Sequence, residues 1–171
     1  MKTSELEIDL ALLARLECNA PRYTSYPTAD RFGEAFDSRS YAAWAARRNS
    51  TGMRRNLSLY VHLPFCRSLC FFCACNKIVT RDASKGLKYL QYLTREIALL
   101  APLFRDDARV EQLHWGGGTP TFYDLDDLGT LFQTLRNHFE LAPQGDYSIE
   151  IDPRTIDAQA LVALREMGFN R

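Results

Sequence analysis

Leu57-Ser58-Leu59-Tyr60-Val61-His62-Leu63-Pro64-Phe65-Cys66 runs directly from a strand pattern into a loop that carries four cysteines. Apolar residues alternate with Ser58, Tyr60 and His62, which is the two-residue period of a β-strand over 57–63. Further on, Leu87, Leu90, Leu93, Ile97 and Leu100 form one stripe of a helix over 85–100. Val110 to Trp115 reads as a second strand, stopped by Gly116-Gly117-Gly118. Asp124, with Asp127 three residues later, opens a second helix striped by Leu128, Leu131, Phe132, Leu135 and Phe139. Tyr147 to Ile151 is a third strand, and a third helix runs from about Asp157 to Met167, closed by Gly168. Three strand–helix alternations predict an α/β fold with a parallel sheet and crossover helices.

Upstream lies an arm, 1–52, expected to be partly helical and partly irregular. Residues 6–16 read as a short helix of poor period, and the prolines at 21 and 27 keep the Tyr23–Tyr26 segment between them extended. Ser40 is expected to cap a short helix carrying Tyr41, Trp44 and Ala45, and Gly52 breaks the chain. Residues 53–171 then hold three parallel strands and stop where a fourth would be expected. Such a sheet leaves an edge uncovered. It therefore reads as the first half of a larger barrel cut in sequence, the plain alternative being a small three-layer α/β domain.

The chain has 171 residues with 21 Lys+Arg against 21 Asp+Glu, so no net charge steers it to nucleic acid or an anionic membrane. No apolar run approaches the ~18 residues that span a bilayer, and the acidic N-terminus does not read as a signal peptide. A cytoplasmic protein with no nucleic-acid or membrane partner is expected. In that reducing setting five cysteines do not imply disulfides. Cys18 stands alone, whereas Cys66, Cys70, Cys73 and Cys75 fall within ten residues. Structural zinc prefers two separated ligand pairs. Thiolates spaced three and then two residues apart suit three corners of a [4Fe–4S] cluster, leaving one iron open to a ligand.

Cys66-x3-Cys70-x-Phe72-Cys73, placed after the first strand, resembles the signature of the radical S-adenosylmethionine (SAM) superfamily. The resemblance implies a partial (β/α)6 barrel in which Cys66, Cys70 and Cys73 bind three irons and SAM chelates the fourth. The loop around Phe72 would lie against the adenine. Gly117, Gly118 and Thr119 would sit in the glycine motif that accepts from the methionyl ammonium. Glu150, on one strand face with Ser148 and Asp152, would meet that ammonium or the ribose. A surface acid on an edge strand is the plainer reading. Tyr60 shares a face with His62 and is expected among the cofactor contacts. His62 is either a core histidine bonded to a carbonyl or a proton-handling residue beside the cluster, its pKa lying near neutrality. His114 is a weaker candidate, and His138 in the last turn of a helix is expected to be structural.

Within the superfamily, five segments narrow the resemblance: residues 21–29, Tyr60 to Cys66, Cys75-Asn76-Lys77, Trp115 to Thr121, and Ser148 to Arg154. They are similar to the oxygen-independent coproporphyrinogen III oxidase family. A haem-chaperone branch shares the His-Leu-Pro-Phe-Cys and Gly-Gly-Gly-Thr-Pro segments but usually lacks the Tyr-Thr-Ser-Tyr-Pro segment and a cysteine at position 75. A cysteine-rich metal module without SAM chemistry is the remaining alternative. The resemblance implies oxidative decarboxylation of two propionates of coproporphyrinogen III, with two SAM molecules per site. A one-electron donor such as flavodoxin or ferredoxin would serve a monomeric enzyme. Cys75 would lie near the cluster without ligating it, acting with His62 in catalysis. Arg22 is a weak candidate for a substrate carboxylate. Family members are more than twice as long, so the later strands are expected beyond this segment.

Overall fold

The computed structural model describes residues 9–17, 28–50, 52, 55–104 and 108–171. Cys18, Arg22 and the expected extended segment up to Pro27 lie outside the described residues. The chain divides into two compact units, 1–38 and 39–171. In the first, α1 (Leu10–Leu16) is capped by Asp9, whose carboxylate accepts from the N–H groups of Ala11 and Leu12 at 2.9 and 3.0 Å. A short 3-10 turn follows at Ala29–Arg31.

Helix α2 (Ser38–Asn49) begins two residues before the expected cap, so Ser40 lies inside it. Asp37 and Ser38 are themselves cap-type residues, which explains the earlier start. The C-terminal end of α2 is tied down by Asn49, which donates to the Leu103 carbonyl at 2.9 Å, and by Arg48, which donates to the Arg55 carbonyl.

The main sheet has three parallel strands in the order β1 (Leu57–Leu63), β4 (Arg109–Gly117), β5 (Glu140–Ile149). Helices α3 (Ala83–Leu100), α4 (Leu125–His138) and α5 (Ala158–Met167) supply the crossovers. Their stripes bury Leu93, Ile97, Leu128, Leu131, Phe132, Leu135 and Leu164 against Val61, Leu63, Leu113 and Trp115. Trp115 is fully buried, with Phe132 and Phe169 packed at 6.0 and 5.0 Å between ring centroids. Strands of a parallel sheet covered on both faces read as unbroken apolar runs. Here they alternate. One face packs on the helices, and the other carries Tyr60, His62, His114 and Ser148.

Three boundaries differ from the sequence reading. Strand β4 runs through the first two glycines, because the ladder continues opposite them: His62 aligns with Gly116 and Leu63 with Gly117. Strand β5 starts at Glu140, not Tyr147, and ends at Ile149. Its early part holds Pro143 and Gly145, which hide it in sequence. Register passes from Val110↔Leu141 to Gln112↔Asp146, so residues 142–145 bulge outward. The two-residue strands β2 (Phe65–Cys66) and β3 (Ile78–Val79), which pair in parallel, are absent from the sequence reading. They close the neck of the cysteine loop, with Ile78 N–H donating to Pro64 at 2.7 Å and Thr80 N–H to Cys66 at 2.9 Å.

The outer edge of β5 is also less open than expected. Residues 170 and 171 lie along it, with the N–H of Asn170 donating to the Tyr147 carbonyl at 2.8 Å and that of Ile149 to the Arg171 carbonyl at 3.1 Å.

Candidate functional site

The cysteine loop hangs from the C-terminal end of β1 by its β2–β3 neck. Cys66 is buried at that neck, Cys70 and Cys73 are half-buried, Cys75 is exposed, and all four thiols are free. Thr119, in the loop after β4, donates its hydroxyl to the Cys66 sulfur at 3.5 Å and its N–H to the Phe65 carbonyl at 2.9 Å. A turn bonds Cys73 N–H to the Cys70 carbonyl at 3.2 Å. It projects Phe71 and Phe72 into the open, at 111% and 90% exposure. The backbone N–H of Cys75 holds the Cys73 thiol below its ordinary pKa. Desolvation, and then the neighbouring Cys73, push Cys75 up.

Among the described residues no three His, Cys, Asp or Glu side chains converge on a single ion-sized point. Free thiols spaced three and then two residues apart along one loop fit an iron–sulfur cluster by their donor chemistry.

The polar face of the sheet meets this loop. The Tyr60 hydroxyl lies 2.9 Å from His62 Nδ1, and His62 Nε2 lies 3.0 Å from the Asn76 carbonyl in the cysteine loop. A carbonyl only accepts, so Nε2 carries the hydrogen and, in the neutral ring, Nδ1 accepts from Tyr60. His62 thus braces the loop through a backbone carbonyl. Desolvation first, then the charges of Glu150 and Cys75, raise the Tyr60 pKa and keep its hydroxyl protonated.

Across the sheet, His114 stacks on Tyr60 at 5.7 Å and bridges two β5-side groups. Its Nε2 lies 3.4 Å from Glu150 Oε1 and its Nδ1 2.7 Å from Ser148 Oγ. Glu150 Oε2 accepts from the Gly117 N–H at 3.2 Å. Ser148 and Glu150 do share a face, as expected. Asp152 does not join them; its carboxylate turns to Arg154, at 2.7 Å.

The glycine run answers to close neighbours within the protein. A Cβ on Gly117, whose φ is +112°, would fall 2.5 Å from the His62 ring; one on Gly118 would fall 2.6 Å from the Pro64 carbonyl. The backbone of this turn is thereby pressed between His62 and the neck of the cysteine loop.

Tyr60, His62, Gly117 and Glu150 form one connected group, with Cys75 within electrostatic reach of Glu150. Cys66 and Thr119 form a second contact at the neck. Sequence reasoning missed Asn76, whose backbone carbonyl carries no side-chain signal. It also missed Arg154, whose Asp152-Pro153-Arg154 context after a strand end was visible. His114 is more central than its weak candidacy suggested.

A model of the Radical SAM superfamily matches residues 60–171. Over 171 residues the chain is 47% identical to the oxygen-independent coproporphyrinogen III oxidase of Salmonella typhimurium and 46% identical to that of Escherichia coli. It covers only 36% of either relative's length. Over 150 residues it is 48% identical to an oxygen-independent coproporphyrinogen III oxidase sequence from Mannheimia haemolytica, covering 99% of that sequence. The solved structure described as coproporphyrinogen III oxidase (HemN) from Escherichia coli, a radical SAM enzyme, superposes with a TM-score of 0.84 at 45% identity. That superposition covers 98% of this chain and 36% of the other.

Proposed function

Because this chain belongs to the radical SAM superfamily and, within it, to the oxygen-independent coproporphyrinogen III oxidase family, we propose that the protein containing it oxidatively decarboxylates coproporphyrinogen III to protoporphyrinogen IX. The observation that supports this most directly is the cysteine loop, closed at its neck by β2–β3 and tied through His62 to the polar face that carries Tyr60, His114 and Glu150. Cys66, Cys70 and Cys73 would hold three irons of a [4Fe–4S] cluster. When bound, that cluster supplies the electron that cleaves SAM to methionine and a 5′-deoxyadenosyl radical.

The chain's own residues then bind and orient. Glu150, whose carboxylate accepts from the Gly117 N–H and lies 3.4 Å from His114 Nε2, would meet the methionyl ammonium. Phe72, an exposed ring on the loop, offers a flat apolar surface to the adenine. Tyr60 keeps its proton on the phenol oxygen and, through His62, helps hold the cysteine loop in place. Thr119 donates to the Cys66 sulfur and steadies that ligand. On the substrate, each of two propionates loses a hydrogen from its β-carbon and then carbon dioxide, and an external acceptor takes the remaining electron. A second SAM, a flavodoxin- or ferredoxin-like donor, a monomeric state and a cytoplasmic site belong to the same proposal. No described helix is long and apolar enough to cross a membrane.

The test is anaerobic turnover by the protein at its relatives' length, with reductant, SAM and coproporphyrinogen III. Two carbon dioxide molecules per protoporphyrinogen IX are expected. Tight haem binding with no carbon dioxide release would move the reading to a haem chaperone.

A further inference from the structure

Arg154 reaches from the loop after β5 into the cysteine loop. Its Nε and Nη2 grip Asp152 at 2.9 and 2.7 Å, a two-point clasp. The same Nη2 lies 3.3 Å from Ser68 Oγ and 3.9 Å from the Cys70 sulfur. Asp152 is itself well covered, its side chain 14% exposed, and it also accepts from the Arg154 backbone N–H at 3.0 Å. Thr155 closes the turn on the Asp152 carbonyl. The guanidinium is therefore positioned by its own loop, independently of the cysteine it meets.

We propose that Arg154, anchored by Asp152, is a positioning residue that donates an N–H to the Cys70 sulfur and sets how readily the cluster held there accepts an electron. The inference rests on the proposed function and deepens it. In the step concerned, one electron passes from the one-electron donor to the cluster, which goes from the 2+ to the 1+ state with no bond made or broken. Negative charge grows on the thiolate sulfurs as it does so. A donor and a cation beside one of them favour the reduced state and raise the potential.

Asp152 offsets part of that positive charge, so the two partners act in opposite senses. Arg154→Gln removes the donor and the cation and should lower the potential. Asp152→Asn leaves the cation uncompensated and should raise it. A clasp with only a structural role would weaken iron loading in both variants and give no such opposition.

The measurement is iron content and a redox titration followed by electron paramagnetic resonance, on the reconstituted protein at its relatives' length. With four irons retained, Arg154→Gln should show an about tenfold lower reduced-to-oxidised ratio at the poise that half-reduces the wild type, equivalent to about 59 mV for one electron. Asp152→Asn should shift the other way, and Arg154→Lys, which keeps the charge without the planar fork, should fall between Arg154→Gln and wild type. Full iron with an unmoved potential, or shifts of the same sign, would overturn the inference. If Arg154→Gln prevents cluster assembly, Arg154→Lys and Asp152→Asn decide, and unmoved potentials in both would overturn it. A wild-type protein that assembles no redox-active cluster would overturn the proposed function; a working cluster indifferent to all three substitutions would overturn this inference alone.

Discussion

Each of the four loop thiols has a different surrounding, and each surrounding has a measurable consequence. Cys66, Cys70 and Cys73 changed singly to Ala should abolish the cluster's visible absorption after anaerobic reconstitution, whereas Cys75→Ala should keep about four irons. Iron retained without one of the first three, or lost with Cys75, would reassign the ligands. In the apo chain the thiolate is the reactive form. Cys73, held below its ordinary pKa by the Cys75 N–H, should be alkylated at a lower pH than Cys75, which partial desolvation and the neighbouring Cys73 push up. A lower pKa also weakens each thiolate's intrinsic reactivity, with a Brønsted slope of about 0.4–0.5. Below both pKa values the thiolate population changes more steeply, so it wins. Mass spectrometry of iodoacetamide-treated protein across pH 6–8 would read the order, and Cys75 reacting first would contradict it. Glu150→Gln should weaken SAM binding about 10- to 150-fold, since a charge-assisted contact contributes roughly 1.5–3 kcal/mol; calorimetry at unchanged affinity would remove Glu150 from the cofactor site. These residues were legible because spacing and residue type carry them. Asn76 was not, because a carbonyl's role depends on where the loop folds back.

The helices were legible to within a few residues, since each has a cap and a continuous stripe: Asp82, Asp124 and Asp157 each accept from the first turn they precede. The strands were less so. A ladder of two residues at Phe65–Cys66 and Ile78–Val79 has no period to detect, and the start of β5 is masked by Pro143 and Gly145. The glycine turn between β4 and α4 shows how strongly such a segment is constrained. Gly117→Ala must place a Cβ at φ +112° and against the His62 ring, so a cost of about 2–4 kcal/mol is expected from backbone strain and overpacking together. Gly129, inside α4, has its nearest neighbour at 3.7 Å, so Gly129→Ala should stabilise by about 0.5–1 kcal/mol. Urea unfolding of the two variants should therefore move in opposite directions. A Gly117→Ala variant as stable as wild type would mean that His62 is free to leave the turn, and its brace on the cysteine loop would go with it.

In the sheet as a whole, the two faces and the outer edge explain what the sequence half-revealed. Alternation of Leu59, Val61 and Leu63 with Tyr60 and His62 marked one face as apolar. That the other face is the polar wall of a site follows only from the parallel alignment of Tyr60, His114 and Ser148 across three strands. The outer edge of β5 is covered by residues 170 and 171, because Gly168 reverses the chain at φ +128° and returns it to β5. Asn170 joins the edge through its side chain as well as its backbone. Its side-chain oxygen accepts from the Tyr147 N–H at 2.9 Å and its amide nitrogen donates to the Gly145 carbonyl at 2.7 Å. Asn170→Ala leaves the Tyr147 N–H unpartnered at a half-buried edge, a loss of about 1–3 kcal/mol where water cannot replace the bond. Local opening of β5 should become easier by that amount, while β4, paired on both sides, should hold. Hydrogen exchange should thus speed up at Tyr147 and Ile149 by roughly 5- to 150-fold and stay unchanged at Leu113 and Trp115. Equal acceleration in β4 would mean that the sheet opens as one unit. No change at Tyr147 would mean that the backbone bonds of residues 170 and 171 close the edge without the side chain.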